Sequence, residues 1–187
     1  DLIVKGVQEI VKNYAVDGIH IDDYFYPTTG TKFDTSFDKP EYDSYKAKGG
    51  TLSFGDWRRS NVESLLRKMY AGIKEINPNV IFGISPQSNL KTNYNVQYLD
   101  VAKIASNKGY CDYLAPQIYF GFDNTVQPFE ETMDQWEAIV KEATIDLYVG
   151  IASYKVGSHD DKAGGDEWTK YTDICARQVA HARLKDK

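Results

Sequence analysis

Two cysteines and three histidines in 187 residues leave little for a disulfide framework or a metal centre. Cys111 and Cys175 lack the close spacing of metal ligands; two free thiols and a single bridge both remain open, and with them the redox compartment. His20, His159 and His181 are scattered with no carboxylate at ligand spacing, so metal-dependent hydrolysis is a weak reading and no cofactor is expected. No apolar run approaches the roughly 18 residues of a membrane span. No charged-then-apolar start resembles a leader, which says nothing here, because the chain begins abruptly inside an apparent helix. Basic charge is not in excess: 22 Lys and Arg stand against 27 Asp and Glu, for a net charge of −5. The basic residues are dispersed, Arg58-Arg59 being the nearest approach to a cluster, which argues against a nucleic-acid partner.

What the chain does have is enough apolar residue for one well-cored domain, 42% of the total, and a surplus of tyrosine. Fourteen Tyr and three Trp exceed the needs of a core, since each carries a polar tip that must reach a partner or water. Such rings suit a sugar-binding cleft, although tyrosine-rich surfaces serve other partners as well.

The periodicity alternates between helix and strand. Residues 1–15 carry Leu2, Ile3, Val7, Ile10, Val11 and Tyr14 at helical spacing, and Gly18–Asp22 is short and β-rich. A polar, aromatic loop over about 24–55 contains Pro27, Pro40 and Gly49-Gly50. Ser53 or Asp56 then caps a helix whose buried stripe is Trp57, Val62, Leu65, Leu66, Met69, Ile73 and Ile76, stopped by Asn77-Pro78-Asn79. Strands are expected at Val80–Ser85, Tyr113–Tyr119 and Leu147–Tyr154. Helices are expected at Val96–Ser106, Phe129–Ala143 and about Asp166–Leu184.

Four strands alternating with helices imply a parallel sheet. An open doubly wound sheet would be apolar on both faces. Here one parity is apolar (Ile19, Ile21, Phe82, Ile84, Leu114, Pro116, Ile118, Val149, Ile151). The other is small at the start and polar at the end (Gly18, His20, Asp22, Gly83, Ser85, Ala115, Gln117, Tyr119, Gly150, Ala152, Tyr154). This pattern fits an α/β fold that is a partial (β/α)8 TIM barrel, with its lumen opening into a site. A closed barrel takes about 250 residues. Residues 1–187 are therefore expected to be a single domain forming half a barrel, cut from something larger, inactive by itself and prone to self-association through unpaired edges.

Chemistry concentrates at the end of the first strand. His20 and Asp22 share the lumen parity, and Asp23 stands at the strand-to-loop junction among Tyr24 and Tyr26. Barrel enzymes place catalytic groups at such strand ends, and two adjacent acids among aromatics perturb each other. Asp22 is the leading catalytic candidate and Asp23 the second, in a catalytic or orienting role; the alternative is that either acid caps the loop.

The segments VDGIHIDDYFYP (Val16–Pro27), DWRRSNV (Asp56–Val62), NPNVIFGISP (Asn77–Pro86), DYLAPQIYF (Asp112–Phe120) and GIASYKVG (Gly150–Gly157) together resemble the bacterial glycosyl-hydrolase-like family 10. That resemblance covers about residues 1–183. It implies a (β/α)8 barrel related to peptidoglycan glycan-strand hydrolases, mostly secreted or lipid-anchored, so an extracellular or cell-envelope location. It places this chain from the helix before the fourth strand onward. Gly18–Asp22 is also similar to the Gly-x-Arg-x-Asp strand end of amylase-type retaining glycosidases, which implies Asp22 as nucleophile with His20 in the arginine position. The similarity to the chitinase strand Asp-Gly-x-Asp-x-Asp-x-Glu fails where it matters, since the acid position holds Tyr24, and a phenol near pKa 10 is a poor proton donor.

Glycoside hydrolysis needs two carboxyl groups, about 5–5.5 Å apart for retention and about 6.5–9.5 Å for inversion. The second is not evident. Glu130 and Glu131 open a helix and answer its dipole. Asp160, Asp161, Asp166 and Glu167 lie in a loop and are expected to be solvated. The expected substrate contacts are His20, Tyr24, Tyr26, Arg59, Asn89, Gln117, Tyr119 and Tyr154, with Trp57 a core anchor and Lys155 a solvated strand-end lysine. The leading reading is an O-glycosyl hydrolase acting on a bacterial polysaccharide or oligosaccharide, peptidoglycan glycan foremost. The alternative is a non-catalytic carbohydrate-binding or scaffold domain.

Overall fold

A computed structural model of the protein describes residues 2–26, 37–161 and 163–185. Pro27 and the stretch of the long loop up to residue 36 lie outside the described residues. The chain runs α1 (Leu2–Asn13), β1 (Gly18–Ile21), α2 (Lys39–Ala47), α3 (Phe54–Ile76), β2 (Ile81–Ile84), α4 (Leu90–Asn95), α5 (Val101–Ile104), β3 (Tyr113–Leu114), α6 (Phe129–Ile139), β4 (Asp146–Leu147), a 3-10 turn (Ser153–Lys155), α7 (Glu167–Lys170) and α8 (Ile174–Ala182).

The four strands are all parallel and lie side by side in chain order. β3 and β4 are shorter than their apolar runs suggest. Pro86 and Pro116 have no N–H to give the ladder, so it continues as separate bonds: Gln117 N to Pro86 O at 2.8 Å and Gly150 N to Pro116 O at 2.9 Å. The fourth strand was expected to reach Tyr154; the 3-10 turn at Ser153–Lys155 ends it sooner.

One face of the sheet meets the helices. Phe82, Ile84, Leu114 and Ile118 pack with Leu66, Met69 and Ile73 of α3, Leu99, Ile104, and Met133 and Trp136 of α6. Each such side chain contributes about 1.5–3 kcal/mol on full burial. The other face carries His20, Asp22, Gly83 and Tyr113, and among the described residues no helix covers it. A doubly wound sheet would have helices on both faces. The arrangement is four successive βα units, as in an arc of a (β/α)8 barrel.

α1 uses only part of its apolar periodicity. Val7 and Val11 are buried, while Leu2, Ile3, Ile10 and Tyr14 are exposed. Ser53 is the cap of α3, its Oγ accepting from Asp56 N at 3.1 Å, a bond worth about 1 kcal/mol. The α3 stripe is Val62, Leu66, Met69 and Ile73, with Ile76 exposed. Trp57 is half-buried, not a core anchor, and packs on the rings of Tyr42, Tyr45 and Phe54.

Several boundaries differ from expectation. The long loop contains α2, which Pro40 opens and does not break, because a first-turn proline forfeits no helical hydrogen bond. Val96–Ser106 is not one helix; Asn89 caps α4, Asp100 caps α5, and Tyr98 between them has a φ of 50°. α6 stops at Ile139, after which Lys141 and Glu142 both donate to Ala105 O. The last helix is two, broken at Tyr171–Asp173, and Trp168 and Ile174 form a second small core with Ala152, which therefore does not face the lumen. The cysteines are not bridged; burial pushes the Cys111 thiol up to about 12.

Candidate active site

β1 alternates its side chains, so Ile19 and Ile21 turn to the helices while His20 and Asp22 project from the opposite face. Asp22 Oδ1 accepts from the backbone N–H of Asp23 at 2.8 Å and from Gln117 Nε2 at 2.7 Å. Gln117 is anchored in turn by donating to Ser85 O at 3.1 Å. The Asp23 N–H, then Gln117, the Asp23 side chain and His20 outweigh partial burial and hold the Asp22 carboxyl below its ordinary 3.8. Asp23 shifts the other way: burial first, then the hydrogen bond and negative charge of Asp22, push its carboxyl up. The two neighbouring carboxyls are thereby shifted in opposite directions, Asp22 down and Asp23 up. Adjacent in the chain, they act on each other, and the contacts of Asp22, to Asp23 N and Gln117, assign it no opposing carboxyl at the about 5–5.5 Å spacing of retaining glycosidases.

His20 Nδ1 lies 2.8 Å from the Tyr113 hydroxyl. Tyr119 stands edge-on to Tyr154, centroids 6.2 Å apart; burial, then the charge of Asp22, raise its phenol. Tyr24 and Tyr154 are exposed. The structure thus gathers Asp22, Asp23, His20, Gln117, Tyr119 and Tyr154 on one face.

The remaining expected contacts are engaged elsewhere. Tyr26 donates to Asp38 Oδ2 at 2.6 Å, beside the buried guanidinium of Arg58. Arg59 donates to Asp56 and to Tyr94 O at 3.0 Å and lies over the Tyr94 ring. Asn89 spends its side-chain oxygen on Thr92 N at 2.9 Å.

Lys155 is not a solvated lysine: it donates to Tyr119 O and to buried Asp160, each at 2.9 Å. Of the four loop acids expected to be solvated, Asp160 and Glu167 are buried, Glu167 accepting from Phe122 N at 2.7 Å and Asp123 N at 3.1 Å. Asp161 and Asp166 flank His159. Among the described residues no group of three or more His, Cys, Asp or Glu is arranged to hold a metal ion.

Sequence reading missed Tyr113 and Tyr148, which fill the start of the face expected to be small. The signal was present, since Tyr113 shares parity with Ala115 and Gln117, and Tyr148 with Gly150.

Comparison with known proteins agrees with this geometry. A family described as Glycosyl hydrolase-like 10 matches residues 1–169. The chain is similar to glycosyl hydrolase YngK of Bacillus subtilis, with 36% identity over 183 residues, covering 89% of this chain and 35% of that protein. It is also similar to glycosyl hydrolase DigH of Escherichia coli K12, with 34% identity over 173 residues, covering 84% of this chain and 38% of that protein. The chain thus spans little more than a third of the length of these relatives. With a matching helix-flanked parallel sheet and acids at a strand end, the chain belongs to the glycosyl hydrolase-like 10 family.

Proposed function

We propose that this chain forms the Asp22-bearing part of a barrel that hydrolyses O-glycosidic bonds of a bacterial polysaccharide, peptidoglycan glycan being the foremost candidate, in a protein of the cell envelope or exterior. The observation that carries the reading is the Asp22 carboxylate, held ionised by two donors on a helix-free, tyrosine-rich face. Asp22 attacks or stabilises the anomeric carbon, and Asp23, its neighbour at the strand end, assists or orients it. Tyr24, Tyr119 and Tyr154 supply rings and hydroxyls for sugar contact. Four strands make half of an eight-stranded wall, so the 187 residues alone are expected to be inactive.

The partners of Asp22, the Asp23 N–H and Gln117, favour a second reading, a carbohydrate-binding domain without turnover, because they leave the opposing acid unassigned. Asp22→Asn in the intact protein separates the two. A hydrolase loses turnover yet still retains glycan in a pull-down; unchanged turnover in the variant removes Asp22 from the chemistry.

A further inference from the structure

Three residues of the helix-free face form one row across three strands. His20 on β1 is in register with Gly83 on β2, and Gly83 is in register with Tyr113 on β3. Adjacent strands lie ~4.8 Å apart, so β1 and β3 are separated by roughly 9.6 Å at this row. A side chain on the middle strand would fill that gap. Gly83 leaves it to Tyr113: a Cβ at Gly83 would stand 1.8 Å from Cζ of that ring. Tyr113 therefore lies across β2, its ring inclined by only 21° to the His20 imidazole and its hydroxyl 2.8 Å from Nδ1. Tyr148 abuts Tyr113 edge-on, centroids 5.2 Å apart.

We propose that Tyr113 is a positioning residue, which fixes the ring orientation and tautomer of His20 and through it the surroundings of Asp22, two residues further along the same face. A neutral imidazole has one donor and one acceptor nitrogen. A phenol that donates to Nδ1 places the imidazole proton on Nε2. Burial first and Tyr148 second push the Tyr113 phenol upward, so it keeps the proton it donates. His20 and Asp22 project from the same face of the first strand two residues apart, so a freely turning ring would change that acid's surroundings. The importance of this for turnover rests on the reading of Asp22 above; the contact itself does not.

The test is nitrogen NMR of histidine-labelled protein at a pH where His20 is neutral, its resonance assigned by loss in His20→Asn. The wild type is expected to show His20 with its proton on Nε2. Tyr113→Phe keeps the ring over Gly83 and removes the hydroxyl, and the Nδ1-protonated form is expected to rise about fivefold, as loss of one neutral hydrogen bond implies. Tyr148→Phe, which leaves that bond in place, is expected to change nothing. Wild-type His20 protonated on Nδ1, or an unchanged tautomer ratio in Tyr113→Phe, overturns the proposal. Should Tyr113→Phe not fold, the wild-type tautomer decides. Since no arm depends on turnover, failure of the hydrolase reading is seen separately in Asp22→Asn.

Discussion

Gln117 Nε2 stands 2.7 Å from Asp22 Oδ1, reaching from beyond β3 to the end of β1. Removing that donor while keeping the side chain's bulk, as in Gln117→Leu, is expected to raise the Asp22 carboxyl from its depressed value. Asp22 is exposed, so the effect is modest, about fivefold in the ionisation equilibrium. Carbon NMR titration of the Asp22 carboxyl measures it. On the proposed hydrolase reading, the acid limb of kcat/KM in the intact protein moves up with Asp22. A titration curve identical to wild type would show that Gln117 does not support the charge.

Asp38 and Arg58 are a buried ion pair, 6% and 1% exposed, joined by two hydrogen bonds through one guanidinium edge, Nε and Nη2, with Tyr26 bonded to the same carboxylate and Tyr98 to Nη1 of the same guanidinium. Arg58→Met leaves Asp38 buried without its cation and is expected to cost about 3–5 kcal/mol, read from urea unfolding at neutral pH. Burial opposes ionisation of Asp38, but Arg58 and Tyr26 more than offset it and hold the carboxyl below 3.8. A depressed folded value means that this stabilisation is complete above the unfolded value and is lost as pH falls through the folded one. Wild type is therefore expected to lose stability below about pH 3.8 more steeply than Arg58→Met. Parallel curves, or a cost under about 1 kcal/mol, would sink the idea.

Among the described residues both outer strands have unpaired edges, and each has apolar surface beside it. Ile3, Ile10 and Tyr14 are exposed on α1, next to β1 in the chain. At β4 a groove of about 460 Å³ is lined by Leu147, Tyr148, Val149, Ile151, Val179 and Ala182. Since both edges are parallel, β4 of one copy can pair with β1 of another in the sense a barrel requires. The 187-residue chain is expected to self-associate through these edges. Light scattering across a concentration series checks this; a monomer at every concentration contradicts it.

Strand order and the choice of an outward face were legible because a strand's period of two is written directly in side-chain polarity: Ile19 and Ile21 against His20 and Asp22. That Asp22 and Asp23 perturb each other was legible from their adjacency in the chain. Helix bounds were not: that the helix expected at Val96–Ser106 is confined to Val101–Ile104, with a separate helix at Leu90–Asn95 before it, depends on Asn89, Asp100 and the backbone of Tyr98, whose preferences are weak until packing selects among them. Burial of Asp160 and Glu167 was likewise invisible, because an acid in a polar loop looks the same in sequence whether it meets water, Lys155 or two backbone amides.

By itself, then, the sequence determined the four-strand α/β plan and the two-faced character of the sheet, since both follow from short-range periodicity. It also carried the family through five ordered segments. Only the tertiary structure decided that Gln117 reaches Asp22, that Tyr113 crosses Gly83 to His20, and that Arg58 is sealed against Asp38. Those contacts join residues 20 to 95 positions apart, and strand register and chain packing, not local preference, bring them together.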